Sequence, residues 1–137
     1  MSDFVKARWV AVAGFTELSA GSSLIVSKVL PAGSYLVFAK AQVRAVEGTA
    51  SAFVGTSCEI WDESSEVKLD EAESAGGLGE YTAGKFGGAW ALPMQAAVSS
   101  GGKIELQVWC STTANTSSAK IAAIETQLSA LQTSSNS

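Results

Sequence analysis

A period-two alternation of apolar and polar residues is the feature that most limits what this chain can fold into. Across residues 35–45, one side of an extended strand would carry Tyr35, Val37, Ala39, Ala41, Val43 and Ala45. The same alternation recurs at residues 51–61 and 103–111. Because successive side chains of a strand point to opposite faces, each run predicts a strand with one buried face.

Shorter segments and turn signals extend this pattern along the chain. Weaker alternation predicts strands at residues 4–13, 23–30, 66–70 and 86–98. The run Leu30-Pro31-Ala32-Gly33-Ser34 predicts a turn whose glycine takes a positive φ. The run Ser99-Ser100-Gly101-Gly102 predicts a tight hairpin between antiparallel strands. We therefore expect an all-β sandwich or barrel, and 137 residues suffice for one core.

Residues 118–131 leave a choice between helix and strand. Ile121, Ile124, Leu128 and Leu131 fall at helical spacing, and this pattern alone favours a helix. In an extended strand, alternate residues from Lys120 onward would share one face instead. Residues 132–137 are small and polar, which predicts a flexible tail after a single domain spanning residues 1–131.

Composition excludes several functional classes. The chain has no histidine, which removes His-based catalytic triads, His-ligated metal sites and the usual near-neutral proton shuttle. A net charge of −4 argues against nucleic acid as a partner. No apolar run approaches the roughly 20 residues of a membrane span, so we expect no membrane partner. The first residues lack the basic and apolar regions of a secretory signal.

Motifs for catalysis are incomplete. The run Gly79-Glu80-Tyr81-Thr82-Ala83-Gly84-Lys85 fits the first part of a phosphate-binding loop, but Phe86 stands where Ser or Thr should hold magnesium. A nucleophile elbow is absent, and the acidic residues are clustered rather than paired as a glycosidase requires. We expect a protein that is not an enzyme, with no cofactor and no metal.

The two cysteines admit three interpretations. Cys58 and Cys110 each lie in an alternating segment, on the apolar side of the predicted strand. Two small buried core residues, lying near one another, are the interpretation that this pattern favours. A disulfide is the second, and a redox or metal role is the third, although two thiolates without histidine are few ligands.

Acidic residues are concentrated in one segment. Positions 59–73 hold seven of the thirteen acidic residues and one basic residue, Lys68. A solvated loop with an edge strand is the simplest interpretation, and a hard-cation site or an opposite-charge contact are the others. For such a contact the candidate residues are Glu63, Asp70 and Glu71.

Three aromatic residues fall on the side of the strands opposite the cysteines. Phe53 and Trp61 share one strand face, and Trp109 lies beside Cys110 on the other side of its strand. If the cysteines face the core, these rings point outward. Isolated exposed rings are ordinary, but several on one domain favour burial against another subunit or partner. They are the remaining candidate interface residues.

The chain resembles a jelly-roll family in three runs. Residues 30–43, which include Pro31-Ala32-Gly33-Ser34-Tyr35, look like a central strand of that family. Residues 101–110 look like a late strand ending in the second cysteine, and residues 119–128 look like the closing strand with its Ala-Ile pair. The family is similar to the globular heads of complement and tumour-necrosis-factor proteins, and it has short bacterial and bacteriophage members.

This resemblance implies specific expectations. The fold would be a jelly roll of eight to ten antiparallel strands, residues 118–128 would form a strand, and three copies would form a homotrimer. The function implied is that of a virion structural protein, a trimeric decoration (cement) protein of a bacteriophage capsid. Its partner would be the major capsid protein or other virion subunits, and it would lie on the virion surface after synthesis in the bacterial cytoplasm. The alternative is a receptor- or glycan-binding tip of a fibre.

Overall fold

The structure is a computed structural model that describes residues 5–18, 21–47, 53–77, 79–82, 85–87, 89–114 and 120–133. Within these ranges the chain forms ten strands. They are β1 Val5–Glu17, β2 Ser23–Leu30, β3 Gly33–Glu47, β4 Phe53–Asp62, β5 Val67–Gly77, β6 Gly79–Thr82, β7 Lys85–Gly87, β8 Ala89–Ser100, β9 Ile104–Ala114 and β10 Lys120–Thr133.

Eight of the strands in the described ranges form two sheets of four. The first sheet has the order β1-β10-β3-β8 and the second has the order β2-β9-β4-β5, while β6 and β7 pair with each other. All neighbours in the two large sheets are antiparallel. The chain passes from one sheet to the other at most connections, and this order is that of a jelly-roll sandwich. The expected all-β jelly-roll fold is confirmed.

The core lies between the inner faces of the two sheets. Its largest fully buried apolar side chains come from strands of both sheets. They are Leu30, Tyr35, Val37, Val43, Ile60, Ile104, Leu106, Val108 and Leu128. Inward residues alternate with outward ones along each strand. The residues that point into the core therefore also determine which residues lie on the outer faces.

A bulge in β10 explains why its sequence pattern was ambiguous. The register with β3 shifts between Ile124 and Gln127, and Glu125 has a φ of 49°. Ala123 and Thr126 are both buried although they are three residues apart. A bulge inverts the alternation, so this strand acquires a helix-like spacing. The strand implied by the jelly-roll resemblance is therefore confirmed, and the helix favoured by the pattern alone is wrong.

The last residues of β10 belong to the segment 132–137, which the sequence predicts to be a flexible tail. The hydroxyl of Thr133 donates a hydrogen bond to the backbone carbonyl of Ser34 (3.3 Å). Residues 132 and 133 thus belong to the strand. Residues 134–137 lie outside the described ranges.

Two connections differ from their predictions. The Ser99-Ser100-Gly101-Gly102 turn does not close a hairpin, because β8 pairs with β3 while β9 pairs with β2 and β4. It links the two sheets instead. The segment from residue 75 to Phe86 is rich in glycine, which predicts a flexible loop, but it contains the end of β5 and the β6–β7 pair. Turn residues signal that the chain reverses, but they do not reveal which strand becomes the pairing partner.

Cys58 of β4 and Cys110 of β9 are directly opposite each other and form a disulfide, with their Cα atoms 4.1 Å apart. Both side chains are buried in the core, as the sequence predicted. Of the three interpretations of the cysteines, the structure shows the disulfide. The bond joins the two middle strands of the second sheet.

Removing the disulfide should lower stability while leaving the fold intact. In the Cys58→Ala/Cys110→Ala variant, the free energy of unfolding should fall by about 2–4 kcal/mol, because the unfolded chain regains the freedom of a long loop. Urea unfolding with and without dithiothreitol provides the measurement. The reductant should lower the midpoint of the wild type but not that of the variant. A wild-type midpoint indifferent to reductant would contradict the prediction.

Tyr35 anchors the turn that precedes β3. Its hydroxyl donates a hydrogen bond to the carbonyl of Pro31 (2.7 Å), and its ring meets Trp9 edge to face with centroids 5.7 Å apart. Gly33 has a φ of 155°, as the turn sequence predicts, and a Cβ there would lie 2.7 Å from Nε2 of Gln132. Burial raises the pKa of Tyr35 above its usual value.

The Tyr35→Phe variant should be less stable at neutral pH by about 1 kcal/mol, because the carbonyl of Pro31 loses its donor. A raised folded pKa means that the tyrosine's contribution is complete below the unfolded pKa of 10.0 and is lost as pH rises through the folded value. The difference between variant and wild type should therefore shrink above pH 10. Urea unfolding at pH 7 and pH 10.5 measures both effects, and a constant difference would contradict the titration.

Candidate functional site

The outer face of the second sheet carries two tryptophans. Trp61 lies on β4 and Trp109 on β9, and both are half-buried. In the register of these strands Trp109 is opposite Glu59, and Trp61 is opposite Gln107. The two rings are therefore diagonal neighbours. We call this outer surface, with its carboxylates and the exposed Leu24, the tryptophan face.

Each indole N–H is already bonded within this face. Nε1 of Trp61 donates to Oε1 of Glu59 (3.2 Å), and Nε1 of Trp109 donates to Oε1 of Gln107 (2.8 Å). The amide of Gln107 in turn donates to Oε2 of Glu105 (3.1 Å). Each acceptor is two residues back on the same strand, so both rings lean along their strands. Neither indole N–H group is therefore free to donate a hydrogen bond to a partner.

Lys68 links two carboxylates on the same face. Its Nζ lies 3.0 Å from Oε2 of Glu71 and 3.3 Å from Oε2 of Glu59. The hydrogen bonds to Glu71 and Glu59 raise the pKa of Lys68. These pairs are solvent-exposed and contribute little to stability, but they show that the carboxylates of this face bind a cationic group.

A shallow hollow of about 250 Å³ opens beside the two rings. Ser22, Glu59, Trp61, Glu63 and Trp109 line it. The backbone N–H of Glu63 donates to the carbonyl of Glu105 (2.8 Å), which ties the β4–β5 turn to β9. The exposed Glu63 side chain thereby stands at a fixed position on the rim of the hollow.

The β4–β5 turn is held by a buried carboxylate. Oδ1 of Asp62 accepts a hydrogen bond from the backbone N–H of Ser64 (3.1 Å), and Oδ2 accepts one from the hydroxyl of Ser65 (2.9 Å). This Asx arrangement is typical of a tight turn. The acidic segment is therefore a turn followed by the edge strand β5, as the simplest interpretation predicted.

The predicted interface residues do not all lie together. Trp61, Trp109 and Glu71 lie on the tryptophan face, and Glu63 borders it. Asp70 lies at the edge, where Oδ2 accepts a hydrogen bond from the backbone N–H of Gln95 on β8 (2.9 Å) and joins the edges of the two sheets. Phe53 begins β4, but its side chain lies outside the part of the chain that the structure describes.

A second surface was not predicted from the sequence as a contact site. On the outer face of the first sheet, four large apolar side chains are exposed. They are Val10, Val12, Leu36 and Phe38, and we call this surface the apolar face. Lys40 and Arg44 follow on the same side of β3. Leu36 and Phe38 are apolar residues on the otherwise polar side of the alternating run at residues 35–45. This departure from the alternation was the signal from which the apolar face could have been predicted.

The described ranges contain no group of three or more acidic or cysteine side chains arranged to hold a metal ion. In the same ranges, no helix has the length and apolar character needed to cross a bilayer.

The Gln107→Leu variant should free the indole N–H of Trp109. Its acceptor is lost while the side-chain volume is nearly kept, so hydrogen exchange at Nε1 of Trp109 should become faster. Trp61, which donates to Glu59, serves as the internal control and should not change. Two-dimensional ¹H–¹⁵N spectra of the indole region measure both rates. Unchanged exchange at Trp109 would contradict the bond.

Three solved structures align with this chain at low sequence identity. The chain aligns with a structure of infectious bursal disease virus Gx strain at a TM-score of 0.53 and 12% identity, over 99% of this chain and 36% of that one. It aligns with the VP2 subviral particle of infectious bursal disease virus at a TM-score of 0.51 and 11% identity, over 95% and 33%. Eiger TNF from S. frugiperda aligns at a TM-score of 0.43 and 9% identity, over 93% and 95%.

No protein-family model and no curated protein sequence matches the chain. The chain spans about a third of the length of the viral proteins that it matches. At identities this low the likeness concerns the fold alone. The two viral structures show that this two-sheet arrangement is a fold also found in proteins of infectious bursal disease virus.

Proposed function

We propose that this protein is a non-enzymatic structural subunit of a virus particle, namely a trimeric decoration protein on a bacteriophage capsid. The observation that carries the proposal is the apolar face, where Leu36 and Phe38 are each 44% exposed and Val12 is 61% exposed. Leu36 and Phe38 lie two residues apart on β3, and Val10 and Val12 lie on the same outer face across β10. Large apolar side chains grouped on one outer face of a small domain mark a surface that another protein covers. The jelly-roll fold shared with viral capsid proteins also supports the proposal of a structural virion subunit.

A second copy of the chain is the proposed occupant of the apolar face. A ring of identical subunits needs two different patches on each copy, and in a three-fold ring these patches lie on adjoining sides of the subunit. The edge strand β5 adjoins the first sheet, since Asp70 bonds to Gln95 of β8. It also carries the exposed Glu71 and Glu73, whereas Lys40 and Arg44 border the apolar face. The charges of the two patches are therefore complementary.

The tryptophan face is then left for a different virion subunit. It is the outer face of the other sheet, so a trimer built through the apolar face and the β5 edge leaves Trp61 and Trp109 accessible. Tryptophan is among the residues that contribute most to protein interfaces. In this arrangement Phe53, Trp61 and Trp109 are assigned to the capsid contact and Asp70 to the contact between copies, while Glu71, on the outer side of the edge strand β5, lies at the border of the two contacts. Glu63, in the turn between β4 and β5, borders both contacts.

Two matched leucines test the trimer. Leu36 on the apolar face and Leu24 on the tryptophan face are 44% and 42% exposed. Leu36→Ser should raise the dissociation constant of the trimer at least tenfold, since a tenfold change needs only about 1.4 kcal/mol. Leu24→Ser should leave it unchanged. Native mass spectrometry and sedimentation of both variants provide the measurement.

For the wild type, the mass should be three times that of the 14.0 kDa chain. A wild type that is monomeric at micromolar concentration would overturn the trimer. Co-sedimentation with bacteriophage particles that lack their decoration protein tests the virion role directly. Failure to bind any particle would overturn that role even if the trimer forms.

A further inference from the structure

We infer that the tryptophan face receives arginine side chains of its partner protein. The inference rests on the proposed virion function and deepens it, because it names the chemistry that the partner presents. It concerns the hollow lined by Glu59, Trp61, Glu63 and Trp109. Three properties of this surface point to a planar cation.

The first property is the state of the indole rings. Both N–H groups donate to side chains of the same face, at 3.2 Å for Trp61 and 2.8 Å for Trp109. A partner in the hollow therefore meets the carbon surface of the two rings rather than their donors. The indole π face carries partial negative charge and is the best aromatic surface for a cation.

The second property is an excess of negative charge. Glu59, Glu63, Glu71 and Glu105 lie on or beside this face, and Lys68 is the one described base paired with them. Among the described residues, Lys68 forms its ion pairs with Glu59 and Glu71. The exposed carboxylate of Glu63 has no ion pair or hydrogen bond with the residues that the structure describes. Negative charge at the rim of the hollow is thus left without a partner within the described chain.

The third property is geometry. The hollow is shallow and about 250 Å³, and two indole rings and two carboxylates line it. A guanidinium group is planar, stacks on an aromatic face and donates to carboxylates in a fork, whereas an ammonium group acts as a point charge. An anionic partner would be repelled here. A neutral sugar could stack on the rings but would gain nothing from the net charge.

The probe for this site is a short peptide, acetyl-Gly-Arg-Gly-Arg-Gly-amide, titrated into the ¹⁵N-labelled full chain. The indole N–H signals of Trp61 and Trp109 should shift and saturate, while that of Trp9, which packs against the core, should not. The same peptide with citrulline in place of arginine keeps the planar shape and part of the N–H donors but lacks the charge. Its dissociation constant should be at least tenfold higher.

Variants separate a specific site from general attraction. Glu63→Gln should raise the dissociation constant of the arginine peptide at least threefold, and Trp109→Leu at least fivefold. Glu17→Gln removes an exposed carboxylate from β1, in the other sheet, and should leave the constant unchanged. The Trp9 signal reports whether each variant keeps its fold.

Several outcomes would overturn the inference. They are equal binding of the arginine and citrulline peptides, an equal effect of Glu63→Gln and Glu17→Gln, no shift of either indole signal, or a saturating shift with xylo- or manno-oligosaccharides but not with the peptide. The last outcome would identify a sugar-binding face. If particles bind the trimer while the peptide does not, the virion role stands and only the arginine assignment fails. If the peptide binds but no particle does, the virion role fails instead.

Discussion

The packing of two inner sheet faces against each other is the constraint on which the rest of the structure depends. Once Val37 and Ile60 point into the core, Leu36, Phe38 and Trp61 must point out of it, because neighbours on a strand face opposite sides. The chain is 47% hydrophobic, and one sandwich of this size cannot take all of that inside. Apolar residues that the core cannot accommodate lie on the two outer faces, where they are exposed.

Most of the fold could be predicted because it follows from local alternation. The strands around Val37, Cys58 and Leu106 each have an uninterrupted period of two, so both their positions and their buried sides were evident from the sequence. The outward direction of the Trp61 and Trp109 side chains followed from the same alternation. Nothing in a single strand, however, states which strand becomes its neighbour.

The remaining features depend on long-range contacts. The bulge at Glu125 is stabilised by pairing of β10 with β1 and β3 on both sides, so the sequence of β10 alone resembled a helix. The turn at Gly101 joins two sheets because its flanking strands have better partners elsewhere. The candidate site was predicted in part. The alternation along β4 and β9 predicted that the two tryptophans point outward. The hydrogen bonds that fix their rings, and the separation of Asp70 from them, depend on the register of four strands and could not be predicted from the sequence.

The two outer faces differ in a way that governs which partner each one suits. Every contact between two copies of the tryptophan face would bring Glu59, Glu63 and Glu71 near their own equivalents, and like charges placed together oppose such pairing. The apolar face has no comparable charge and is bordered by Lys40 and Arg44. The carboxylates around the indoles therefore oppose the pairing of this face with the same face of a second copy. In the proposed assembly, this difference in charge distinguishes the contact between copies at the apolar face from the contact with a different protein at the tryptophan face.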